Sequence, residues 1–311
     1  RVSAAMSALP YFDAEAIVAA VPMPAAVEVL REAFRDLGDL HPRRGVSLGP
    51  SDDLLMMPAV APAGIGIKIV TVVSGNPARG LPLIHGHYLF CDRETGVPLA
   101  TLDGSALTAL RTPAASALAT DVLARPDVRT LGIFGTGVQA RGHVEAVLAV
   151  RPGIESIAVC GRTPESGEAF AAGVEAGRRT VVAATATEAA ACDVVCGCTS
   201  AAEPVVPTVA VRPGTHVNLV GSYSTARREV DDDLVAAASV FVDDREAAAE
   251  ESGELIHAAA GSWSFDEIVG DLAELVTGRA GRRNDDEVTL FKSVGLAVED
   301  VVVAAAVVAR S

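Results

Sequence analysis

The alternation of hydrophobic and polar positions changes character along the chain. Residues 13–38 have helical spacing, with Asp13 in a capping position and Pro24 in a first turn. Residues 54–103 carry short apolar runs between glycine- and proline-containing turns, which is typical of strands that are mostly antiparallel. These runs are Leu54–Met57, Ile65–Val73, Leu83–Cys91 and Val97–Leu102. Residues 105–124 return to a helical pattern rich in Ala and Leu.

From Arg129 onward, strand-like and helix-like segments alternate. The strand candidates are Thr130–Phe134, Ser156–Cys160, Thr180–Ala183, Val194–Thr199, His216–Val220 and Val240–Asp243. Such alternation predicts βαβ units and a parallel, doubly wound sheet, so the fold class is α/β. The last stretch, Phe291–Arg310, is rich in Ala and Val and is predicted to be a long helix.

Composition narrows the functional classes. Half of the 311 residues are hydrophobic but only 4% are aromatic, which suits a sheet core of small aliphatic side chains. The formal charge of -15 argues against nucleic acid as a partner. The N-terminus lacks the pattern of a signal peptide, and the apolar run Val301–Val308 is too short to span a bilayer. We therefore expect a cytoplasmic protein that does not enter membranes.

The cysteines do not indicate a disulfide framework or a metal site. Their number is odd, and only Cys196 and Cys198 lie close together in the sequence. No second pair with metal-ligand spacing accompanies them. We interpret these two as small buried residues of a strand and expect no bound metal.

A glycine-rich turn after the strand Thr130–Phe134 predicts a dinucleotide site. The segment Gly135–Ala140 reads Gly-Thr-Gly-Val-Gln-Ala, a strand-to-helix fingerprint that includes Thr136, Val138 and Gln139. Gly135 permits the tight turn, Gly137 lets a pyrophosphate approach the backbone, and Ala140 allows close packing of the helix on the strand. The N-terminus of that helix offers N–H groups to the phosphates.

The end of the next strand bears on the choice of cofactor. NAD-binding proteins usually carry an acidic residue there for the ribose 2′-hydroxyl. Here Cys160 and Gly161 are followed by Arg162 and Thr163, which could hold a 2′-phosphate instead. The sequence favours NADP(H), with NAD(H) as the alternative. Four further residues are assigned to the cofactor site: Thr199, Ser200, Val220 and Gly221.

The first half of the chain contains three cations in weakly charged surroundings: Arg44, Lys68 and Arg111. Lys68 lies within an apolar strand, and Arg111 lies on a predicted helix. Buried cations need anionic partners. A substrate carboxylate would serve, and so would an internal salt bridge. The histidines His85 and His87 share one face of a strand, where they could supply a proton or simply be structural.

Several segments resemble the ornithine cyclodeaminase/mu-crystallin family. They are His41–Arg44, Ile67–Val70, Asp103–Gly104, Arg111–Ser116, Gly135–Ala140, Asn218–Gly221, Val242–Asp243, Glu251–Glu254 and Phe291–Asp300. The resemblance implies a Rossmann domain, 124–291, inserted in an α+β substrate-binding and dimerisation domain, 1–123 plus 292–311. It also implies a homodimer, and hydride transfer between a nicotinamide and the α-carbon of an amino or imino acid.

The resemblance further assigns site residues. Arg44, Lys68 and Arg111 would hold the substrate carboxylate, and Ser293 would lie near the nicotinamide. Lys68 and Arg111 are the predicted catalytic residues. The chain departs from the cyclodeaminase pattern at Tyr223, where those enzymes carry an aspartate. A tyrosine cannot act as a carboxylate base at neutral pH, so Tyr223 is predicted only to line the substrate pocket.

These observations favour NAD(P)H-dependent reduction of a cyclic α-imino acid. The substrate would be Δ1-pyrroline-2-carboxylate, giving L-proline, or Δ1-piperideine-2-carboxylate, giving L-pipecolate. Two alternatives stay open within enzymology: an ornithine or lysine cyclodeaminase, and an alanine-type amino-acid dehydrogenase. A non-catalytic, mu-crystallin-like protein that binds a small ligand is the third.

Overall fold

The computed structural model describes residues 8–38, 40–221 and 225–311. Their contacts divide the chain into two compact units. Of the described residues, the first unit comprises those up to Val29, Leu37–Arg111 and Ala297–Ser311. The second comprises Leu30–Asp36 and Thr112–Leu296. The domain bounds expected from the resemblance stay a prediction.

The strands and helices are as follows. The strands are β1 (Tyr11–Phe12), β2 (Arg44–Gly49), β3 (Asp52–Ala61), β4 (Gly64–Val73), β5 (Ile84–Cys91), β6 (Pro98–Asp103), β7 (Thr130–Phe134), β8 (Ser156–Cys160), β9 (Thr180–Ala183), β10 (Val194–Gly197), β11 (His216–Leu219), β12 (Ser239–Val242), β13 (Gly270–Asp271) and β14 (Thr289–Lys292). The helices are α1 (Ala14–Ala20), α2 (Met23–Arg35), α3 (Gly104–Leu123), α4 (Val138–Val150), α5 (Pro164–Ala172), α6 (Ala186–Ala190), α7 (Asp232–Ala237), α8 (Arg245–Glu251), α9 (Gly253–Ala259), α10 (Leu272–Val276) and α11 (Ala297–Arg310). Short 3-10 turns cover Pro77–Arg79, Thr208–Ala210 and Phe265–Glu267.

Polar side chains fix where several helices begin. The Asp13 carboxylate accepts a hydrogen bond from the N–H of Ala16 at 2.9 Å, which caps α1. Helix α6 starts with a capping box in which Thr185 and Glu188 satisfy each other's backbone N–H groups. The cap predicted at Asp13 is confirmed.

The first unit contains a six-stranded sheet in the order β1-β6-β5-β4-β3-β2. Neighbouring strands are antiparallel except β1, which pairs with β6 in parallel. Helix α11 packs on β3 and β4. In β3 to β6, buried residues alternate with partly or fully exposed ones, so one face of the sheet is more deeply buried than the other.

The second unit is a doubly wound sheet in which every neighbouring pair of strands is parallel. The order is β13-β12-β14-β11-β10-β7-β8-β9. Alternate residues of the central strand β10 enter different cores: Val194 belongs to the same hydrophobic cluster as Val144 of α4, and Val195 to the same cluster as Leu234 of α7. The predicted fold class is confirmed. The chain reverses its direction of travel across the sheet between β7 and β10, which is where such folds bind ligands.

The predicted helix over Phe291–Arg310 is wrong at its start. Phe291 and Lys292 belong to β14, which pairs with β11 on one side and β12 on the other. The chain then turns at Gly295, whose φ is 81°, and α11 begins at Ala297. A short apolar run cannot be assigned to a helix or a buried strand by periodicity alone, and here pairing on both sides decides.

The edge strand β2 is absent from the sequence prediction. Its residues are mostly exposed, so they lack the apolar alternation that identifies a strand. Among residues 8–38, 40–221 and 225–311, no helix has the length and apolar character required to cross a membrane.

Candidate functional site

The strand register of the second unit aligns the ends of five strands in one row. Phe134 of β7 is level with Cys160 of β8 and Gly197 of β10. Gly197 is level with Leu219 of β11, which is level with Lys292 of β14. The predicted cofactor segments all follow these residues directly or within two positions. The structure therefore brings the predicted cofactor-site residues together at one edge of the sheet. Tyr223, predicted to line the substrate pocket, lies outside the described residues.

The glycine turn has the geometry that a dinucleotide needs. Gly135 has a φ of 105°, and a Cβ there would lie 2.6 Å from the carbonyl oxygen of Cys198. At Gly137 a Cβ would meet nothing within 4 Å, so the space outside this residue is open. Gly137 caps α4 without a side chain, which leaves the first N–H groups of the helix facing that space. These features fit a pyrophosphate bound at the helix N-terminus.

Close packing holds α4 in place behind the turn. Ala140 is fully buried. The buried His143 lies 2.7 Å from the Gln139 carbonyl through Nδ1 and 2.9 Å from the Ser116 hydroxyl through Nε2. Nδ1 must donate to the carbonyl, so Nε2 accepts from Ser116. Burial lowers the pKa of His143 to about 4, so the ring is a neutral structural link at physiological pH.

The loop after β8 presents Arg162 to solvent. The Arg162 side chain is exposed, and Thr163 begins α5 by accepting a hydrogen bond from the Ser166 N–H at 3.3 Å. Glycine is required at position 161, just before Arg162, because a Cβ there would lie 2.3 Å from the Ser166 hydroxyl oxygen. Arg162 is thus an exposed cation beside the strand end, whereas the Thr163 hydroxyl is already engaged as a helix cap.

The loops after β10 and β14 are each fixed by a buried carboxylate. Thr199 donates through both its N–H and its hydroxyl to Glu229, at 2.6 and 2.8 Å. Ser293 donates its hydroxyl to Asp243 at 2.9 Å, and the same oxygen accepts from the N–H groups of Val294 and Gly295. Ser293 is therefore an internal hydrogen-bond donor in this structure.

In the first unit, Lys68 projects from the buried face of the sheet. Register places Lys68 opposite Met57 of β3 and Tyr88 of β5, both of which are buried. The ammonium lies 2.8 Å from Asp300 of α11 and donates to the Thr108 hydroxyl at 3.0 Å. Burial lowers the pKa of Lys68 to about 8; the Asp300 charge opposes this shift, and the Arg111 and Arg43 charges add to it.

Arg111 of α3 completes a buried four-residue cluster. Its Nη1 donates to Glu299 at 2.7 Å and its Nε donates to Asp300 at 3.2 Å. None of these three side chains is more than 6% exposed. Lys68, Arg111, Glu299 and Asp300, which we name the carboxylate-cation cluster, carry two charges of each sign. The internal salt bridge that the sequence left open as an alternative is present.

Arg44 lies apart from that cluster. It pairs with Met56, which pairs with Ile69, so it belongs to the exposed face of the sheet rather than to the face of Lys68. The charge of its neighbour Arg43 contributes to the lowered pKa of Lys68. His87 shares the exposed face with Arg44, and His85 is exposed as well. The structure thus brings Lys68 and Arg111 together and leaves Arg44 on the other face.

Sequence reasoning missed the carboxylates that organise these sites. They are Glu229, Asp243, Glu254, Glu299 and Asp300, each no more than 1% exposed. A signal for the last two was available, because adjacent acidic residues in the first turn of an Ala/Val-rich helix have to be paired if that helix is buried. For Glu229 and Asp243 no local pattern exists. Among the described residues, no group of three or more His, Cys, Asp or Glu side chains could hold a metal ion.

Comparison with known proteins agrees with the resemblance seen in the sequence and confirms it. The model of the ornithine cyclodeaminase/mu-crystallin family matches residues 14–311. A Δ1-pyrroline-2-carboxylate reductase of Bacillus cereus is 42% identical over 258 residues, which are 80% of this chain and 79% of that protein.

Solved structures match over almost the whole chain. The Thermococcus litoralis Δ1-pyrroline-2-carboxylate reductase, in complex with NADH and L-proline, has a TM-score of 0.91 and 34% identity, and the match covers 97% of both chains. An archaeal alanine dehydrogenase, described as a dimer with bound NAD, has a TM-score of 0.90 and 30% identity, covering 97% of this chain and 95% of that one.

Proposed function

Because this chain belongs to the ornithine cyclodeaminase/mu-crystallin family, we propose that it is an oxidoreductase that reduces a cyclic α-imino acid with a nicotinamide cofactor. The substrate is Δ1-pyrroline-2-carboxylate or its six-membered homologue, and the product is L-proline or L-pipecolate. The observation that carries this proposal is the match, over 97% of both chains, to a reductase solved with NADH and L-proline.

The cofactor is held by the carboxyl edge of the parallel sheet. Gly135–Ala140 receive the pyrophosphate, while Thr199, Ser200, Val220, Gly221 and Ser293 border the rest of the nucleotide. When bound, the reduced nicotinamide supplies a hydride to the carbon of the C=N bond.

Lys68 and Arg111 are proposed to fix the substrate carboxylate. An ammonium group has three donors, and those of Lys68 reach Thr108 and Asp300 among the described residues, which leaves one for a substrate oxygen. A cation in a buried site attracts a carboxylate more strongly than an exposed one because water screens it less. Binding the carboxylate constrains the orientation of the ring toward the nicotinamide, and such positioning contributes to the rate. A role for Arg44 or Tyr223 in the substrate pocket stays a prediction.

We propose that the preferred cofactor is NADPH. The loop after β8 offers the exposed Arg162 where NAD-binding proteins usually carry an acid. A guanidinium can bind a 2′-phosphate with two charge-assisted hydrogen bonds.

We further propose that the protein is a homodimer formed by the exposed face of the first unit's sheet. Val46 and Ile69 on this face are 46% and 44% exposed although both are large and apolar. A second copy would cover them, in line with the dimer described for the archaeal alanine dehydrogenase. Light scattering coupled to gel filtration tests this: Ile69→Asp should shift the mass from dimer to monomer, and a monomeric unmodified protein would contradict the proposal.

The function is tested by following absorbance at 340 nm with purified protein, NADPH or NADH, and each cyclic imine. Fast oxidation of the cofactor with one imine establishes the reductase and ranks the two ring sizes. Without oxidation, the proposal fails. Release of ammonia from ornithine without net change of cofactor would then indicate a cyclodeaminase. Reduction of NAD(P)+ by alanine would indicate an open-chain dehydrogenase, and binding without turnover would indicate a carrier.

A further inference from the structure

Glu229 connects the loops that follow β10 and β11, at the carboxyl ends of the parallel strands. Its carboxylate is fully buried. Oε1 accepts from the N–H and hydroxyl of Thr199, after β10, at 2.6 and 2.8 Å. Oε2 accepts from the N–H of Gly221, after β11, at 2.9 Å. One side chain therefore sets the spacing between the two loops.

The two loops touch so closely that this spacing has little tolerance. A Cβ on Gly221 would lie 1.9 Å from the carbonyl oxygen of Thr199 and 2.6 Å from the Glu229 Oε1. A Cβ on Gly197 would lie 2.9 Å from the Glu229 carboxyl carbon. Glycine at both positions lets the carboxylate sit directly beneath the strand ends, so a displacement of Glu229 moves both loops.

Two further buried side chains, Lys292 and Glu254, lie around Glu229. Its burial raises the pKa of Glu229, and the nearby Lys292 ammonium acts in the opposite direction. Lys292 lies 3.0 Å from Glu254, whose other oxygen accepts the backbone N–H of Glu229 at 3.1 Å. Glu254 thus fixes the backbone of Glu229, and the charge of Lys292 favours the ionised form of Glu229. The same Lys292 ends β14, immediately before Ser293.

We propose that Glu229 is a positioning residue for the nicotinamide nucleotide: it holds Thr199 and Gly221 in the arrangement that receives the cofactor. This rests on the proposed function. Glu229 acts through the two loops rather than on the reacting atoms, so its loss should weaken nucleotide binding more than turnover at saturation.

The protein contains a matched control for this role. Asp193 precedes β10, at the opposite edge of the same sheet, and accepts from the N–H of Arg129 and the N–H and hydroxyl of Thr130, at 2.8 to 2.9 Å. Like Glu229 it accepts from two N–H groups and a hydroxyl, but all three donate to one oxygen, and its side chain is 27% exposed and lies 3.5 Å from Arg125. It lies away from every proposed cofactor segment. A purely structural effect of losing such a carboxylate should appear in both variants.

The experiment compares Glu229→Gln with Asp193→Asn in the full chain. An amide offers one acceptor in place of two, so Glu229→Gln sets an NH2 group against at least one N–H donor. We expect both variants to melt below the unmodified protein. Only Glu229→Gln should raise the Kd of NADPH, which is measured by fluorescence titration. The expected increase is about tenfold or more, because the loss of one hydrogen bond to a charged group corresponds to at least that change in affinity. Its kcat at saturating cofactor should stay within about threefold of the unmodified value, since no transition-state contact is lost.

The outcomes separate the two proposals. An unchanged NADPH Kd in Glu229→Gln, or an equal loss of affinity in Asp193→Asn, overturns the positioning role. If Glu229→Gln does not fold, Glu229→Asp replaces it, because the shorter carboxylate keeps its charge but cannot reach both loops; an unchanged Kd there overturns the role as well. An unmodified protein that binds neither NADPH nor NADH contradicts the proposed function instead.

Discussion

The Lys68 ammonium lies 2.8 Å from the Asp300 carboxylate, and neither side chain is more than 2% exposed. Such a pair is stabilising only while both partners are present, because one buried charge without the other is costly. The pair also sets the protonation of Lys68. Burial lowers the pKa of Lys68 to about 8, against the attraction of Asp300.

The pH dependence of catalysis should therefore report on Lys68. Carboxylate binding needs the charged ammonium, so kcat/KM should fall above about pH 8, by about tenfold per pH unit once the proton is lost. In the Lys68→Arg variant the substrate titrates as before, but the side chain at position 68 stays charged. The decrease of kcat/KM with pH should therefore be smaller in this variant than in the unmodified protein. Profiles that coincide would show that Lys68 does not titrate in this range.

Lys68 should affect stability in the opposite direction: its contribution to the free energy of unfolding should increase with pH, whereas kcat/KM decreases. Because its pKa is lowered in the folded state, the unfolded chain holds a proton that the folded chain releases between pH 8 and 10.5. The contribution of Lys68 to the free energy of unfolding is therefore smallest below pH 8 and rises through this window. Urea denaturation of the unmodified protein and Lys68→Met across that range measures the difference, which should widen in favour of the unmodified protein as pH increases.

Loss of Arg111 should lower the free energy of unfolding. Arg111→Met leaves Glu299 and Asp300 buried with one partner fewer, which should cost about 3–5 kcal/mol in the free energy of unfolding. Arg129→Met is the matched control: Arg129 pairs with Glu155 at 3.3 Å, but both side chains are more than half exposed, so its loss should cost at most about 1 kcal/mol. Denaturant titration of both proteins checks this, and similar costs would mean that the carboxylate-cation cluster contributes nothing special.

The two glycines of the cofactor turn should respond differently to alanine. Gly137 has a φ of -88° and open space beside it, so Gly137→Ala should fold normally yet raise the NADPH Kd by about tenfold, or about 1.4 kcal/mol, because its methyl group obstructs the phosphates. Gly135→Ala should also lose about 1–3 kcal/mol of stability from its strained backbone. Melting curves and binding titrations separate the two effects; normal NADPH affinity in Gly137→Ala would move the pyrophosphate elsewhere.

Arg162 should determine cofactor choice. Replacing it in Arg162→Asp removes a charge-assisted contact worth about 1.5–3 kcal/mol, so the KM for NADPH should rise by about 10- to 100-fold while that for NADH changes little. Arg178→Asp, another exposed arginine of the second unit, makes the same change of net charge and should leave both values near those of the unmodified protein. Equal effects of Arg162→Asp on the two cofactors would remove Arg162 from the 2′-phosphate site.

Loss of the Ser293 hydroxyl should weaken NADPH binding less than loss of the Asp243 carboxylate, to which that hydroxyl donates. In Ser293→Ala the N–H groups of Val294 and Gly295 still donate to Asp243, so the loop keeps two of these three hydrogen bonds and NADPH affinity should fall only slightly. Asp243→Asn lacks the second oxygen and the charge, and should weaken binding several times more. The reverse order would mean that the Ser293 hydroxyl contacts the cofactor directly.

The sequence by itself determined the parallel sheet, the glycine turn and the family. These features are local: the turn from Gly135 to Ala140 is specified by the φ values and small sizes of its own residues, and β7, β8 and β9 are followed or separated by helical segments within a few residues. The resemblance rests on the same short segments, so it too could be recognised without coordinates.

Only the tertiary structure decided which charges meet. For Lys68 and Arg111 the sequence left a substrate carboxylate and an internal salt bridge open as anionic partners, and α11 supplies the salt bridge through Glu299 and Asp300. The pairing of β2 with β3 places Arg44 on the exposed face of the sheet. The residues before Ser293 form strand β14 because they pair with β11 on one side and β12 on the other. Periodicity specifies what each segment can form, whereas the neighbour that satisfies a buried charge or a strand edge comes from packing between segments distant in sequence.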